Sequence, residues 1–379
     1  NFTADGGTIK LDGNYPVGTN NVALGDTALA ALTSGSRNVA VGTNAADALT
    51  TGVRNVAIGF DALTTAVDDD QNTAVGAYAL NTTEADNNSG LGYLALYANT
   101  TGASNVAVGS SALQNNTTAS NNTAVGYVAG YSTTTGALNT FVGREAAYSN
   151  TTGQHNVAIG QSANYANTTG NYNVSLGSQA LRFNTTSSDN VAVGYQTLYS
   201  MSSTGDANKS TAVGYQAGYN STHNVDAFGS QALYSNTTGV LSVAIGREAL
   251  YSNTTANYNT AVGYQAGYSN TTGSENSYFG RFSGKGVTTG TGNVFLGARA
   301  GNYQIPTTTG SYNTVIGSYS KVGNAGDSNA VAIGHNIVGT SGFTTLGDAT
   351  NDIRAAHGNV TWNTVSDQRY KKDIVDSTA

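Results

Sequence analysis

The chain contains no cysteine, and its 379 residues include only two prolines, one methionine and one tryptophan. Without cysteine there is no disulfide framework and no thiolate metal site, and the redox compartment leaves no mark. Charge is scarce too: 10% of residues are Asp, Glu, Lys or Arg, with a formal net charge of −7. No stripe of Lys and Arg exists to displace counterions from a phosphate backbone, which argues against nucleic acid as a partner. No apolar run approaches the length of a membrane-spanning helix, so no membrane insertion is expected, and no signal-peptide pattern opens the chain. It begins at Asn1 rather than Met, as a processed product or a piece of a longer chain would, so any anchor or address is expected outside it.

What is present in quantity is glycine, with 48 residues, and a word that repeats: "NTAVGYVAGYSTTTG" at Asn122, "NVAIGQSANYANTTG" at Asn156, "NTAVGYQAGYSNTTG" at Asn259. The Gly closing each N-x-A-h-G core, where h is large and apolar, falls at 25, 42, 59, 76, 92, 109, 126, 143, 160, 177, 194, 214, 229, 246, 263, 280, 297, 317, 334 and 347. Fourteen of the nineteen intervals are 17 residues. So short a period does not fit helix-pair repeats or propeller blades; it fits one coil of a β-solenoid. Low charge with abundant glycine is also seen in disordered chains, but those lack apolar positions in register.

Within one coil, the residue before the Gly is large and apolar, the one before that is usually Ala, and the one before that is Val or Thr. This reads as a strand with Val/Thr and the large residue on one face, Ala and the leading Asn on the other. After the Gly turns the corner, Ala and commonly Leu follow, as at Ala62 and Leu63, and read as a second short strand. An "NTTG" turn then closes the coil, where Asn and Gly tolerate left-handed backbone. The expected fold is all-β, a parallel β-solenoid (β-roll) of about twenty 17-residue coils over residues 21–347. Residues 1–20 form a lead-in, and the 20-residue intervals predict outward loops near 200–209 and 302–312.

Two columns should run along such a roll. Asn opens the first strand at Asn21, Asn38, Asn55, Asn156, Asn173 and elsewhere. Stacked amides could form a ladder in which each donates to the next, or each Asn could cap its own turn, and the two are compatible. Tyr stands five residues after the Gly at Tyr97, Tyr148, Tyr165, Tyr251 and Tyr268, among others. Such a column could hold sugar rings, but stacking for stability is the commoner use of aromatic ladders.

One roll is thin. Each coil offers two or three large apolar side chains, worth about 1.5–3 kcal/mol each when fully buried. Ordering its backbone costs about 1–2 kcal/mol per residue. One apolar face of the first strand would also stay uncovered, so a homotrimer around a shared axis is expected. The words N-V-A-V-G and N-V-A-I-G resemble the head repeats of trimeric autotransporter adhesins, which implies left-handed parallel β-rolls assembled as trimers. The period here is longer than the typical head repeat.

After Gly347 the repeat fails, and the segment to Ala379 carries the only Trp, Trp362, and a charge cluster from Asp367 to Asp373. Its "SDQRYKKDI" resembles the opening motif of the self-cleaving intramolecular chaperone that ends phage tail spikes, tail fibres and endosialidases. The resemblance implies a transition segment over 348–365 and the start of a chaperone at 366–379. It also implies Ser366 as nucleophile, Asp367 after the cleaved bond and Lys371 as base, since a Ser hydroxyl needs a base to take its proton. Only thirteen residues follow Ser366, fewer than such a domain needs.

Other chemistry finds little support. Glu145 and Glu248 share one coil position but lie six coils apart, ~29 Å at ~4.8 Å per coil, too far for the paired carboxylates of a glycosidase. The Asp68-Asp69-Asp70 run lacks a ligand loop for Ca²⁺. The four His show no metal-ligand spacing, and "SGKG" at 283–286 is not a phosphate loop. Many Asn-Thr-Thr words match the glycosylation pattern, with the outcome left to the host. No enzyme, cofactor or metal is expected. The function expected is a structural and host-recognition fibre: a trimeric phage or phage-like tail-fibre shaft, extracellular on the virion, meeting a bacterial surface glycan or protein. A bacterial trimeric surface adhesin is the alternative, and a polysaccharide-depolymerising spike the third.

Overall fold

The computed structural model describes residues 20–202, 209–302, 306–349, 351–358 and 363–364. The chain divides into two compact units, Asn1–Ser210 and Thr211–Ala379. In the first, eleven three-residue strands run from Val22–Leu24 to Val191–Val193. Neighbouring strands pair in parallel and in register one repeat apart, as in Val22↔Val39, Val39↔Val56 and Val174↔Val191. In the second, strands stack in the same manner from Thr211–Val213 to Phe343–Asp348. The fold is an all-β parallel solenoid of about nineteen turns, with no helix among the described residues.

Irregular intervals do not break the register. Across the 20-residue coil the strands still align as Val294↔Thr314, and Asn293 Oδ1 still accepts the backbone N–H of Asn313 at 3.0 Å. The tips of the two expected loops, 203–208 and 303–305, lie outside the described residues.

Alternation along each strand decides inside from outside. Ala40, Ala57, Ala74 and Ala107 point inward and are fully buried, while Val and Thr before them and the large residue after them face outward. Small residues inside let the opposite wall come close, and interior volume is then traded between positions. Several coils pair a strand Ala with a buried Leu on the far wall, as in Ala57 with Leu63, Ala74 with Leu80 and Ala107 with Leu113. Where the strand carries a large ring instead, at Phe141, Tyr278 or Phe295, the far wall carries Gly130, Gly284 or Gly301 against it. Each exchange keeps the coil filled, as close packing requires.

The second strand expected after each Gly forms only after Gly317 and Gly334, where Lys321–Val322 pairs in parallel with Val338–Gly339; in the other coils it does not form. There the backbone turns repeatedly, with positive φ at two alternate positions, for example Asp61 (φ 51°) and Leu63 (φ 57°). A non-Gly residue costs roughly 1–2 kcal/mol in that region. Here the cost is offset because the wall still bonds coil to coil: Leu63 N–H donates to Ala79 O at 3.1 Å and Asp61 N–H to Thr43 O at 3.1 Å. Apolar and β-compatible residues look like a strand in sequence, but the tight cross-section bends them into consecutive turns. The closing Gly is needed for a related reason. Gly42 has φ 134°, and a Cβ there would lie 2.5 Å from the Gly59 carbonyl oxygen.

The parallel stack ends at Phe343–Asp348, after which Asn351–Ala356 folds back antiparallel against it and Asn363–Thr364 pairs antiparallel in turn. The chain leaves coil geometry after Asp348 as a hairpin capping the last coil. Trp362, Ser366 and Lys371 lie outside the described residues.

Candidate functional site

Three ladders hold the coils, and only one was legible as such. At the strand entry, Asn21 Oδ1 accepts the Asn38 N–H and Asn38 Oδ1 the Asn55 N–H, both at 2.9 Å. Asn156 Oδ1 does the same for Asn173 at 2.9 Å. The amide nitrogens donate instead to turn carbonyls: Asn21 to Gly35 at 2.9 Å, Asn38 to Gly52 at 2.8 Å, Asn55 to Asp69 at 2.7 Å. Asn156 donates to Gly170 at 2.8 Å and Asn173 to Ser187 at 2.9 Å. Each Asn therefore clamps backbone of the next coil at two points, and the expected amide-to-amide bond is added at some steps, from Asn105 Nδ2 to Asn88 Oδ1 and Asn190 to Asn173 at 3.1 Å and from Asn293 to Asn276 at 3.0 Å.

A second amide-to-amide column runs through the turn. Asn167 Nδ2 donates to Asn150 Oδ1 at 2.8 Å, Asn253 to Asn236 at 2.8 Å and Asn270 to Asn253 at 2.9 Å. Each also donates to the carbonyl three residues on, as Asn167 does to Gly170 at 3.0 Å. These are the Asn of the Asn-Thr-Thr words, and all are fully buried. The same column holds Leu49 and Met201 elsewhere, so it is an interior position. A third ladder passes from Thr Oγ1 to the carbonyl one coil on: Thr151 to Thr168 at 2.9 Å, Thr168 to Thr185 at 3.0 Å. The signal for the turn ladder was present, since Asn recurs there at the same spacing as at the strand entry.

Two outward columns are apolar or aromatic. Ile58, Leu91, Phe279 and Leu296 stand outward from the strands, each more than a third exposed. On the next corner the Tyr column stacks in runs: Tyr131, Tyr148 and Tyr165 at 5.1 and 5.3 Å, with rings within 8° of parallel. Tyr251 and Tyr268 stack at 5.1 Å. Tyr97 does not stack; it meets Tyr78 edge-on at 6.3 Å. Burial, and then its Tyr neighbours, push the Tyr148 phenol above its usual range.

Beside the first of these runs an open groove encloses about 580 Å³, lined by Ser111, Gln114, Tyr127, Tyr131, Glu145 and Tyr148 among others. Tyr127 is 57% exposed. Glu145 accepts a hydrogen bond from Ser162 Oγ at 2.9 Å, and Arg144 approaches it at 3.7 Å. Aromatic faces beside amide, hydroxyl and carboxylate groups can seat and orient a sugar ring. Glu248 is likewise engaged, by Arg247 at 3.0 Å and by Gln265. Among the described residues no group of three or more His, Asp or Glu side chains converges as a metal site would require. No protein-family model matches the chain, and no curated protein matches it.

Proposed function

We propose that the chain is the shaft of a homotrimeric fibre, of a phage or phage-like tail, that carries attachment to a bacterial surface. The observation that supports it best is the outward apolar column of Ile58, Leu91, Phe279, Leu296 and their equivalents. It repeats on the same strand position, coil after coil, in both units. A contiguous apolar stripe of this kind marks an interaction surface. Identical chains with the same 17-residue spacing match it rung for rung, so a second and third copy are the partners it fits. The likeness of "SDQRYKKDI" to the opening of a self-cleaving chaperone favours the phage setting, with Ser366 as nucleophile and Lys371 as base. The N-V-A-V-G words favour a second reading, a bacterial trimeric surface adhesin. Either way the chain acts outside the cell, through contact rather than turnover.

Light scattering of the purified chain tests the assembly: a trimer is expected, and a stable, soluble monomer would overturn the reading. The setting is tested by continuing the chain with its native downstream sequence. Mass spectrometry should then show cleavage at Ser366, lost in Ser366→Ala and Lys371→Ala. A protein that stays whole through folding favours the adhesin.

A further inference from the structure

Cations are few in this chain, fifteen in all, and four of them fall within the four consecutive coils closed by Gly246, Gly263, Gly280 and Gly297. Three converge on one ring. Lys285 Nζ lies 4.9 Å from the Phe282 ring centroid, Arg281 Cζ 5.2 Å and Arg299 Cζ 5.4 Å. Tyr264 meets the same ring edge-on at 5.2 Å and carries Arg247 over its own face at 5.7 Å. Arg247 is matched by Glu248 at 3.0 Å. No carboxylate forms an ion pair with Arg281, Lys285 or Arg299 among the described residues. The other acid of these coils is Glu275, exposed on the strand-entry side and likewise in no ion pair with them.

Three like charges around one ring repel one another, and the ring's attraction for each offsets only part of that. Glu248, already bonded to Gln265 and Arg247, also feels the Lys285 charge, so one engaged carboxylate faces four cations and the cluster is short of anions. Two of the three cations are guanidinium groups, whose planar fork matches a carboxylate with two parallel hydrogen bonds. Phe282 and Tyr264 add an apolar platform between the charges. A ligand that satisfies both features carries carboxylates on rings with an apolar face. The cluster is shallow and spread along the coils, so a single small acid would be held weakly, whereas a polymer engages several coils at once.

We propose that Arg281, Lys285 and Arg299 around Phe282 form a binding site for an acidic polysaccharide, its uronate carboxylates on the cations and its sugar faces on Phe282 and Tyr264. The site rests on the recognition role given to the shaft above and names its ligand class. It requires no residue outside the second unit.

The test is binding of the full chain to polygalacturonate, with neutral dextran and single-stranded DNA alongside, at several salt concentrations. Light scattering on the same sample reports assembly. Polygalacturonate should bind and weaken with salt, dextran should not bind, and DNA should bind more weakly. The triple variant Arg281→Gln, Lys285→Gln, Arg299→Gln should lose about tenfold or more in affinity, and Arg37→Gln with Arg54→Gln should lose nothing. Phe282→Leu, which keeps every charge, should also weaken binding. Undiminished binding by the triple variant overturns the site. So does DNA binding as well as polygalacturonate, since that would be generic polyanion attraction. A trimer that ignores polygalacturonate also overturns the site while the shaft stands. A monomer that binds it supports the site and removes the shaft.

Discussion

A Cβ placed on Gly284 would lie 2.3 Å from Cδ1 of Tyr278, so the ring of one wall occupies the space that a side chain on the other would need. Gly284→Ala is therefore expected to destabilise by more than the usual ~1 kcal/mol of a point change. Tyr278→Ala should cost about 3–5 kcal/mol through the cavity it leaves. The double variant should cost less than the sum, which urea unfolding of all four proteins would show. The Tyr278 hydroxyl is buried without a hydrogen-bond partner, and Phe141 and Phe295 stand at equivalent positions. Tyr278→Phe is accordingly expected to hold or raise stability, by up to ~1–3 kcal/mol if the desolvation cost is fully recovered.

The buried turn ladder predicts a modification pattern. Asn150, Asn167, Asn253 and Asn270 sit in Asn-Thr-Thr words, yet their amides are fully buried and hydrogen-bonded. Folded protein given an oligosaccharyltransferase should gain no glycan at these positions, while denatured protein becomes a substrate; glycopeptide mapping reads the difference. Asn167→Ala would leave partners in neighbouring coils unpaired and should cost about 1–3 kcal/mol. Thr151→Ser keeps a hydroxyl for the Thr168 carbonyl and should be nearly silent, where Thr151→Val should cost about 0.5–1.5 kcal/mol.

Asp69 supplies a pH dependence. It occupies the turn position held by Gly52 one coil earlier, where burial raises its carboxyl from 3.8 to about 6, with the nearby Asp68 and Asp86 adding to the shift. The folded state then holds this proton more tightly than the unfolded chain. Its contribution to stability is present below about pH 4 and lost as pH rises through about 6. Thermal unfolding followed from pH 4 to 7 should fall across that window, and Asp69→Asn should flatten the fall and raise the melting temperature at pH 7. An unchanged profile would show that Asp69 does not titrate in this way.

Charge on the outward column separates assembly from folding. Ile58→Asp or Leu91→Asp places a carboxylate on a face that solvent already reaches within one chain. Strand content by circular dichroism should persist while light scattering shows the proposed trimer lost. Ala57→Asp, on the inner face of the same strand, should abolish folding itself.

The coil period, the strand and its inward Ala were legible because Gly42, Gly59 and Gly76 recur at fixed spacing and alternation along Val56-Ala57-Ile58 has a period of two. The far wall was not. Ala62-Leu63 reads as strand by composition, and nothing local announces that Leu63 takes a left-handed φ; the narrowness of the coil imposes it. The Tyr stacking partners followed from spacing at Tyr148 and Tyr165. Tyr97 departs because its neighbour one coil earlier is Asn81 rather than Tyr, and Tyr78 meets its edge instead. The cationic cluster escaped notice because Arg281, Lys285 and Arg299 are separated in sequence and meet only where the coil corner brings them to Phe282.

Asn38 is tied to Asn21 on one side and to Asn55 on the other, and to no coil beyond. Tension applied along such a stack meets its rungs in series, so one coil peels while those behind it keep hold. A freed 17-residue coil pays out roughly 56–61 Å of chain. The expected response to pulling the full chain from both ends is a train of yielding steps of about that size, each absorbing work; a single large rip would deny it. In mechanical terms the molecule is a brake line rather than a rigid rod, giving way by measured lengths under a load that would snap a single cooperative unit at once.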